Sequence, residues 1–394
     1  MDFSRSEAVE VFAATVREFL AENLTAEMRH EMHRTGDGHD WELHRKMAAK
    51  GWLAAASPGS AGARDSSEMG ALFRELELAT APYHGLATTM MIVGIVDHLG
   101  SPELKAKVLP SILAGETIAA LGYSEPDSGS DVFAARTRAV AVDAEHSAWR
   151  INGQKMWSTF AHQAGYCLLL TRTNPDKPKH LGLTMFFVPL DSPGITIQPI
   201  HTMAGERTNT VFYEDVEVSD LYRVGEVDGG HEVMSYALSL ERGVMGGNTM
   251  IEPLARDAIA WARTPGSDGV RPGDDPAVLE AIARVRIDAE VAHLLSVRTA
   301  TVGASGASPA LAGNSVKLFS TVAYQRAAAT LQEVAGVAGL LHRDSDSALA
   351  SAADGEFERT VRHATVTTIQ GGTTEIQRNH IAQHGLGLPR NKAR

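Results

Sequence analysis

The chain has 394 residues, 44% hydrophobic and 21% charged, with a formal net charge of −12; this is an ordinary globular balance with room for two or three compact units. The acidic balance, without clustered Lys or Arg, argues against a nucleic-acid surface, and the lack of any apolar run of roughly 18 residues argues against a membrane span. Cys167 is the single cysteine, so no internal disulfide can form; with a charged N-terminus unlike a signal peptide, the expected location is cytoplasmic.

Residues 1 to about 117 read as helices. Val9, Phe12, Val16 and Phe19/Leu20 recur at helical spacing. Ser101 is placed to cap a helix that carries Glu103 in its first turn. From about 118 to 227 the pattern changes to short β-rich runs, "YCLLLTRT", "LTMFFVPL", "GITIQPI" and "NTVFYEDVEV", separated by turn chemistry such as "INGQ" and "DSPG". Helical periodicity returns near 228 and continues to about Gly385, interrupted by the loop-like "TPGSDGVRPGDDP" from Thr264 to Pro276. Helix, then β, then helix is an α+β arrangement in three parts, 1–117, 118–227 and 228–394.

Several signals carry little. His30, His33, His39 and His44 lack metal-ligand spacing and read as a solvated helix end and loop, so no metal is expected. The Gly-rich "GVAGLL" and "GASGAS" do not follow a strand in a βαβ unit. Two segments say more. In "LGYSEPDSGSD", Gly129 between Ser128 and Ser130 could present N–H groups and hydroxyls to an anion, though alone it is an ordinary polar turn. In "INGQKMWST" a Trp stands beside two hydroxyls, either a flat stacking platform or a half-buried strand.

Taken in order, "YSEPDSGSD", "INGQKMWST", "GERTNTVFYEDVEV" and "GGTTEIQRNHIAQHGLGLPR" resemble the conserved segments of the acyl-CoA dehydrogenases across essentially the whole chain. The resemblance implies an N-terminal helical domain, a central β-barrel-like domain and a C-terminal four-helix bundle. It also implies FAD as cofactor and oxidation of an acyl-CoA thioester to the trans-2-enoyl-CoA. Residue by residue, it implies that Ser124, Trp157 and Thr159 meet the flavin and that Ser130 faces the CoA chain. Thr373 and Glu375 would contact the FAD adenosine portion, and Gln332 and Gly336 in "QEVAG" would reach the FAD of a neighbouring subunit.

The reaction needs a carboxylate near the substrate α-carbon, its pKa raised by a water-poor pocket. Many members carry that Glu two residues before the Thr of the C-terminal motif. Here the position is Gly371, which keeps a backbone N–H for the thioester carbonyl but no proton acceptor. A subset that includes isovaleryl-CoA dehydrogenases carries the base on an earlier helix, just before an Arg, and this chain has Glu241-Arg242 there. A helical wheel places Met234, Leu238, Glu241 and Met245 on one stripe, flanked by Val233, Ala237, Leu240 and Val244. A carboxylate on an apolar face is costly to bury unpaired and so marks a functional candidate, the alternative being a structural ion pair.

A second departure concerns assembly. Homotetrameric members carry R-x-x-F-G, whose Arg reaches the pyrophosphate of a partner's FAD. Here Arg263 is followed by no Phe-Gly. That loss, with the displaced Glu, resembles subunits of the actinobacterial α₂β₂ acyl-CoA dehydrogenases that act on steroid side chains. The resemblance implies an acyl-CoA substrate and an electron-transfer flavoprotein as acceptor. It leaves open a homo-oligomer with Arg263 or Arg271 as substitute, a catalytically silent partner chain, and a flavin oxidase or monooxygenase on the same fold.

Overall fold

The computed structural model describes residues 6–60, 62–244, 250–266, 268–305, 308–345 and 350–390, the side chains of 241–244 and 304 excepted. Six helices come first: α1 (Glu7–Asn23), α2 (Ala26–Thr35), α3 (Trp41–Ala49), α4 (Ser66–Leu78), α5 (His84–Leu99) and α6 (Pro102–Leu113). The apolar stripe of α1 is buried at Val9, Phe12, Val16, Phe19 and Leu20, against α4. The Ser101 hydroxyl accepts from the Leu104 N–H at 3.1 Å, capping α6 as its sequence suggests. α5 is buried almost continuously from Gly85 to Val96, as befits a helix at the junction of several layers.

The strands are β1 (Ala119–Gly122), β2 (Arg138–Ala141), β3 (Ala148–Lys155), β4 (Tyr166–Arg172), β5 (Leu183–Pro189), β6 (Ile195–His201), β7 (Arg207–Ser219) and β8 (Arg223–Val224). They pair in the order β6-β7-β3-β2-β4-β5-β8, with β1 also on β4. β2 and β4 meet through a single pair, Arg138 and Arg172, so the sheet folds there into two faces that close on one core. Trp149, Ile151, Val211 and Tyr213 from one half pack with Cys167, Leu169, Phe186 and Val188 from the other. The Trp149 and Phe186 rings lie 5.5 Å apart across that core.

Two sequence expectations are corrected. "INGQ" is not a turn between strands. It lies inside β3, where the register with β7 shifts between Ile151 and Gly153, a bulge rather than a hairpin. Gly153 is required there because a Cβ would stand 2.7 Å from the Thr137 Cα. Nor are all the N-terminal histidines solvated. His39 and His44 are buried, with ring centroids 4.9 Å apart, and neither ring nitrogen of either has a hydrogen-bond partner among the described residues. Burial pushes their pKa values down to about 3 and about 4.

The C-terminal part holds α7 (Gly230–Val244), α8 (Ile251–Arg263), α9 (Pro276–Ala304), α10 (Ala310–Ala335), α11 (Glu356–Thr367) and α12 (Thr374–His380). α8 to α11 pack on one another around Leu254, Ala258, Val285, Ala289, Tyr324, Leu331 and Phe357. α7 instead lies on α5. Its Val233, Met234 and Ala237 are buried with Ile92, Val93 and Ile95. Gly94 permits that contact, since a Cβ there would sit 2.7 Å from the Ala56 carbonyl oxygen and 3.2 Å from the Leu240 Cδ1.

Candidate active site

The first half of the site is a pair of neighbouring chain segments. The Met156 N–H donates to the Ser124 carbonyl at 2.9 Å, laying "YSEPDSGSD" beside "INGQKMWST". Beneath this junction Lys155, wholly buried, donates to Glu125 Oε1 at 2.7 Å and to the Tyr123 carbonyl at 3.2 Å. Glu125 also accepts the Arg136 and Thr137 N–H groups at 2.7 and 2.9 Å. Burial pushes the Lys155 ammonium down, against the pull of Glu125. Burial pushes Glu125 up, but Lys155 and the two N–H donors hold it below the usual carboxylate range. A buried pair with its hydrogen bonds filled fixes geometry more than it adds stability. Sequence reasoning missed this pair, although period-two alternation from Trp149 through Ile151 places Lys155 on the inward face.

Above the pair the backbone is strained. Trp157 and Phe160 have φ of 63° and 62°, a conformation that costs a bulky residue on the order of 1–3 kcal/mol. Ser158 between them donates its N–H to the Asn209 carbonyl at 3.0 Å and accepts Asn209 Nδ2 at 2.9 Å. Thr159 Oγ1 lies 3.2 Å from Thr208 Oγ1. The strained turn presents Trp157 outward, 55% exposed, beside the exposed Thr159 and the half-buried Ser124. The buried Ser158 Oγ has no partner among the described residues. A flat ring flanked by hydroxyls, with an unmatched buried oxygen, fits a planar heteroaromatic ligand with hydrogen-bonding edges. Ser130 is exposed beyond Gly129, next to the Asp131–Lys179 ion pair at 2.5 Å.

The second half lies on helix ends of the C-terminal part. Thr373 caps α12, its Oγ1 accepting the Ile376 N–H at 3.2 Å. Glu375 sits in the first turn, exposed, and accepts from Thr374 Oγ1 at 3.0 Å. The N–H of Glu375 itself, and then that hydroxyl, hold its carboxyl below the usual range. Gly371 and Gly372 have φ of 65° and 88°, and Gln377 Nε2 reaches both carbonyls at 3.3 Å. Gln332 is turned into its own chain, donating to the Gly339 carbonyl at 3.2 Å. Gly336 ends α10 at φ 56° with no atom near a would-be Cβ. Among the described residues no hydrogen bond links this group to Ser124, Trp157 or Thr159.

Glu241 and Arg242 fall in the last turn of α7; their side chains lie outside the described residues, as does Met245 of the expected stripe. Where described, the stripe holds: Val233, Met234 and Ala237 are buried and Leu238 and Leu240 half-buried, while Glu232, Ser235 and Ser239 are exposed. Among the described residues no group of three or more His, Cys, Asp or Glu could hold a metal ion, and no helix is long and apolar enough to cross a membrane.

Comparison with known proteins matches three family models in order: the acyl-CoA dehydrogenase N-terminal domain over 6–116, its middle domain over 120–216 and its C-terminal domain over 228–386. Acyl-CoA dehydrogenase FadE26 of Mycobacterium tuberculosis is 34% identical over 390 residues, covering 95% of this chain and 96% of that protein. The Tcur3481-Tcur3483 steroid ACAD superposes with a TM-score of 0.89 at 29% identity, over 99% of this chain and 100% of that one. The ChsE4-ChsE5 complex from Mycobacterium tuberculosis gives 0.84 at 32% identity, over 99% and 100%.

Proposed function

The chain belongs to the acyl-CoA dehydrogenase family of FAD-dependent oxidoreductases, and on that premise we propose that it converts an acyl-CoA thioester to the trans-2-enoyl-CoA with Glu241 as the α-proton base. The carrying observation is the placement of α7. Its apolar face packs on α5, buried at Val233, Met234 and Ala237 and half-buried at Leu240 by the close crossing at Gly94, and Glu241 is the next residue of that helix. Gly371, the other position for a base, has no side chain and a left-handed backbone.

FAD, when bound, supplies the acceptor for the β-hydride. Trp157, Thr159 and Ser124 would hold and orient its ring, and Thr373 and Glu375 would contact its adenosine portion. Ser130 would face the CoA chain, the Gly371 N–H would serve the thioester carbonyl, and Arg242 would support the substrate. Glu241 would take the α-proton, a task that requires a carboxylate whose proton affinity a water-poor pocket has raised.

The assembly proposed is a hetero-oligomer with a homologous chain, passing electrons to an electron-transfer flavoprotein. Three features support it. Arg271, one of the two candidate substitutes with Arg263 for the missing Arg segment, is paired with Asp274 at 2.9 Å. Val337, Leu340, Ile369, Leu386 and Leu388 are exposed around the C-terminal half-site, where a partner would cover them. Two of the solved relatives are pairs by name, Tcur3481-Tcur3483 and ChsE4-ChsE5, the first a steroid ACAD, which favours a steroid side-chain thioester as substrate.

The test is Glu241→Gln in the flavin-loaded protein. Loss of a general base costs about 10²–10⁴-fold, so anaerobic flavin bleaching by acyl-CoA should slow by that factor while flavin and substrate still bind. Bleaching near the wild-type rate would reject the assignment. A wild type that bleaches with no thioester, alone or with its partner, would instead favour a silent subunit.

A further inference from the structure

We propose that Asn209 is a positioning residue for the flavin segment, and that His162 and Gln163 extend its hold to the N-terminal domain. The proposal rests on the reading that Trp157 and Thr159 meet FAD. Asn209 is wholly buried at the start of β7, and all its polar groups are engaged. Its Oδ1 accepts Arg207 Nε at 3.1 Å, which fixes the amide orientation. Nδ2 must then be the atom that reaches the Ser158 carbonyl at 2.9 Å and His162 Nδ1 at 3.2 Å. With the Ser158 N–H on the Asn209 carbonyl at 3.0 Å, this one residue grips Ser158 from both sides. Ser158 follows the left-handed Trp157 and lies two residues before the left-handed Phe160. A strained turn persists only where its surroundings over-determine it, and Asn209 supplies that constraint from inside the β domain.

The far end of the turn is held from the N-terminal domain. The Trp41 indole N–H, a donor only, reaches Gln163 Oε1 at 3.0 Å. Gln163 Nε2 therefore faces outward to Asp37 Oδ2 at 2.5 Å and to His162 Nε2 at 3.2 Å. Phe160 packs edge-on against the buried His39 ring, with centroids 6.1 Å apart. Each nitrogen of His162 thus meets an amide N–H, which disfavours the doubly protonated ring; the neutral ring has one acceptor nitrogen and takes a hydrogen bond from one of the two amides. Burial and Arg207 push its pKa down in the same direction, against Asp37. Trp41, Gln163, His162, Asn209 and Ser158 thus lie in sequential contact, hydrogen-bonded at every link but one of the two on His162, and join two domains through the residue next to Trp157.

The substitutions Asn209→Ala, Asn209→Asp and Gln163→Ala, in the full-length chain purified with its homologous partner, test this. Asn209→Ala removes the side-chain hydrogen bond to Ser158 and the one to His162, which corresponds to roughly 10- to 100-fold weaker FAD binding by the apoprotein. Asn209→Asp replaces the donor with a carboxylate facing the Ser158 carbonyl and should weaken FAD at least as much. Gln163→Ala removes the contacts to Trp41, Asp37 and His162 but none to Ser158, and should weaken it by about 3- to 10-fold. The flavin reduction potential should move in all three, which a loss of general stability would not produce, while Val11→Ala on the exposed face of α1 moves neither. FAD affinity within twofold of wild type and an unchanged potential in Asn209→Asp and Gln163→Ala overturn the proposal, even if Asn209→Ala fails to fold. A wild type that binds no FAD at all defeats the flavin reading itself.

Discussion

Around Trp157 each exposed group stands on buried groups of the same chain: the Lys155–Glu125 pair below, Asn209 behind and Trp41 beyond. Around Gly371 and Gly336 the groups stand at helix ends, exposed, with Gln332 turned inward and apolar side chains uncovered nearby. Both regions are assigned to one cofactor, yet only the first is preorganised by the chain itself. The difference fits a site whose flavin face is built locally and whose adenosine face is completed by another subunit. Preorganisation lowers the ordering cost of binding, so the two regions should respond differently to mutation, to acid and to a partner.

The largest expected effect tests the self-contained side. Lys155→Met leaves Glu125 charged and buried, which costs about 3–5 kcal/mol. Glu125→Gln with Lys155→Met together should recover most of that loss. Chemical denaturation midpoints measure both, and a single mutant as stable as the double would show that the pair is not coupled. Acid comes next. His39 and His44 have folded pKa values of about 3 and about 4, below the unfolded value of about 6.5. Their contribution is therefore complete above about pH 6.5 and falls as the unfolded chain takes up protons that the folded one refuses. The slope is about 1.4 kcal/mol per pH unit for each histidine, down to about pH 4. A slope from about pH 6.5 to 4.5 that is shallower in a His39→Phe, His44→Phe variant than in wild type would confirm the source, and an unchanged slope would reject it; what slope remains is owed in part to His33, which burial also pushes down to about 4.

On the other side, co-expression with a homologous chain carrying R-x-x-F-G should raise flavin content. The missing charge-assisted bond is worth about 1.5–3 kcal/mol, or roughly ten- to a hundred-fold in affinity. Absorbance of flavin against protein, with light scattering, measures it; a fully flavinated, active homo-oligomer from single expression would break the comparison. The smallest effect is structural. Gly371→Glu forces a side chain onto φ 65°, at a cost of about 1–2 kcal/mol. Placed on Glu241→Gln, it should restore little turnover, and substantial recovery in stopped-flow reduction would show that α12 can re-aim the residue.

Much of this was legible before any coordinates. The stripe of α7 as far as Leu240, four of the strands and the cap at Ser101 follow from periods of 3.6 and 2 and from local hydrogen-bonding chemistry, which act within a few residues. What stayed hidden depends on contacts between distant segments. "INGQ" carries a turn signal locally, but β7 and Thr137 hold it extended as a bulge. His39 and His44 look solvated beside Asp37 and Asp40, yet Trp41 and Phe160 enclose them. Asn209 is an unremarkable polar residue entering a strand until Ser158, 51 positions away, comes against it.

Cys167 has a use outside the reaction. It is wholly buried and receives only the Tyr213 hydroxyl at 3.7 Å, and burial pushes its thiol up to about 12. At neutral pH it is neither accessible nor ionised, so the chain is inert to alkylating reagents. A cysteine introduced at Val337 or Ile369 would therefore be the sole labelling site, and a fluorophore attached there would report directly on which surface a second subunit covers.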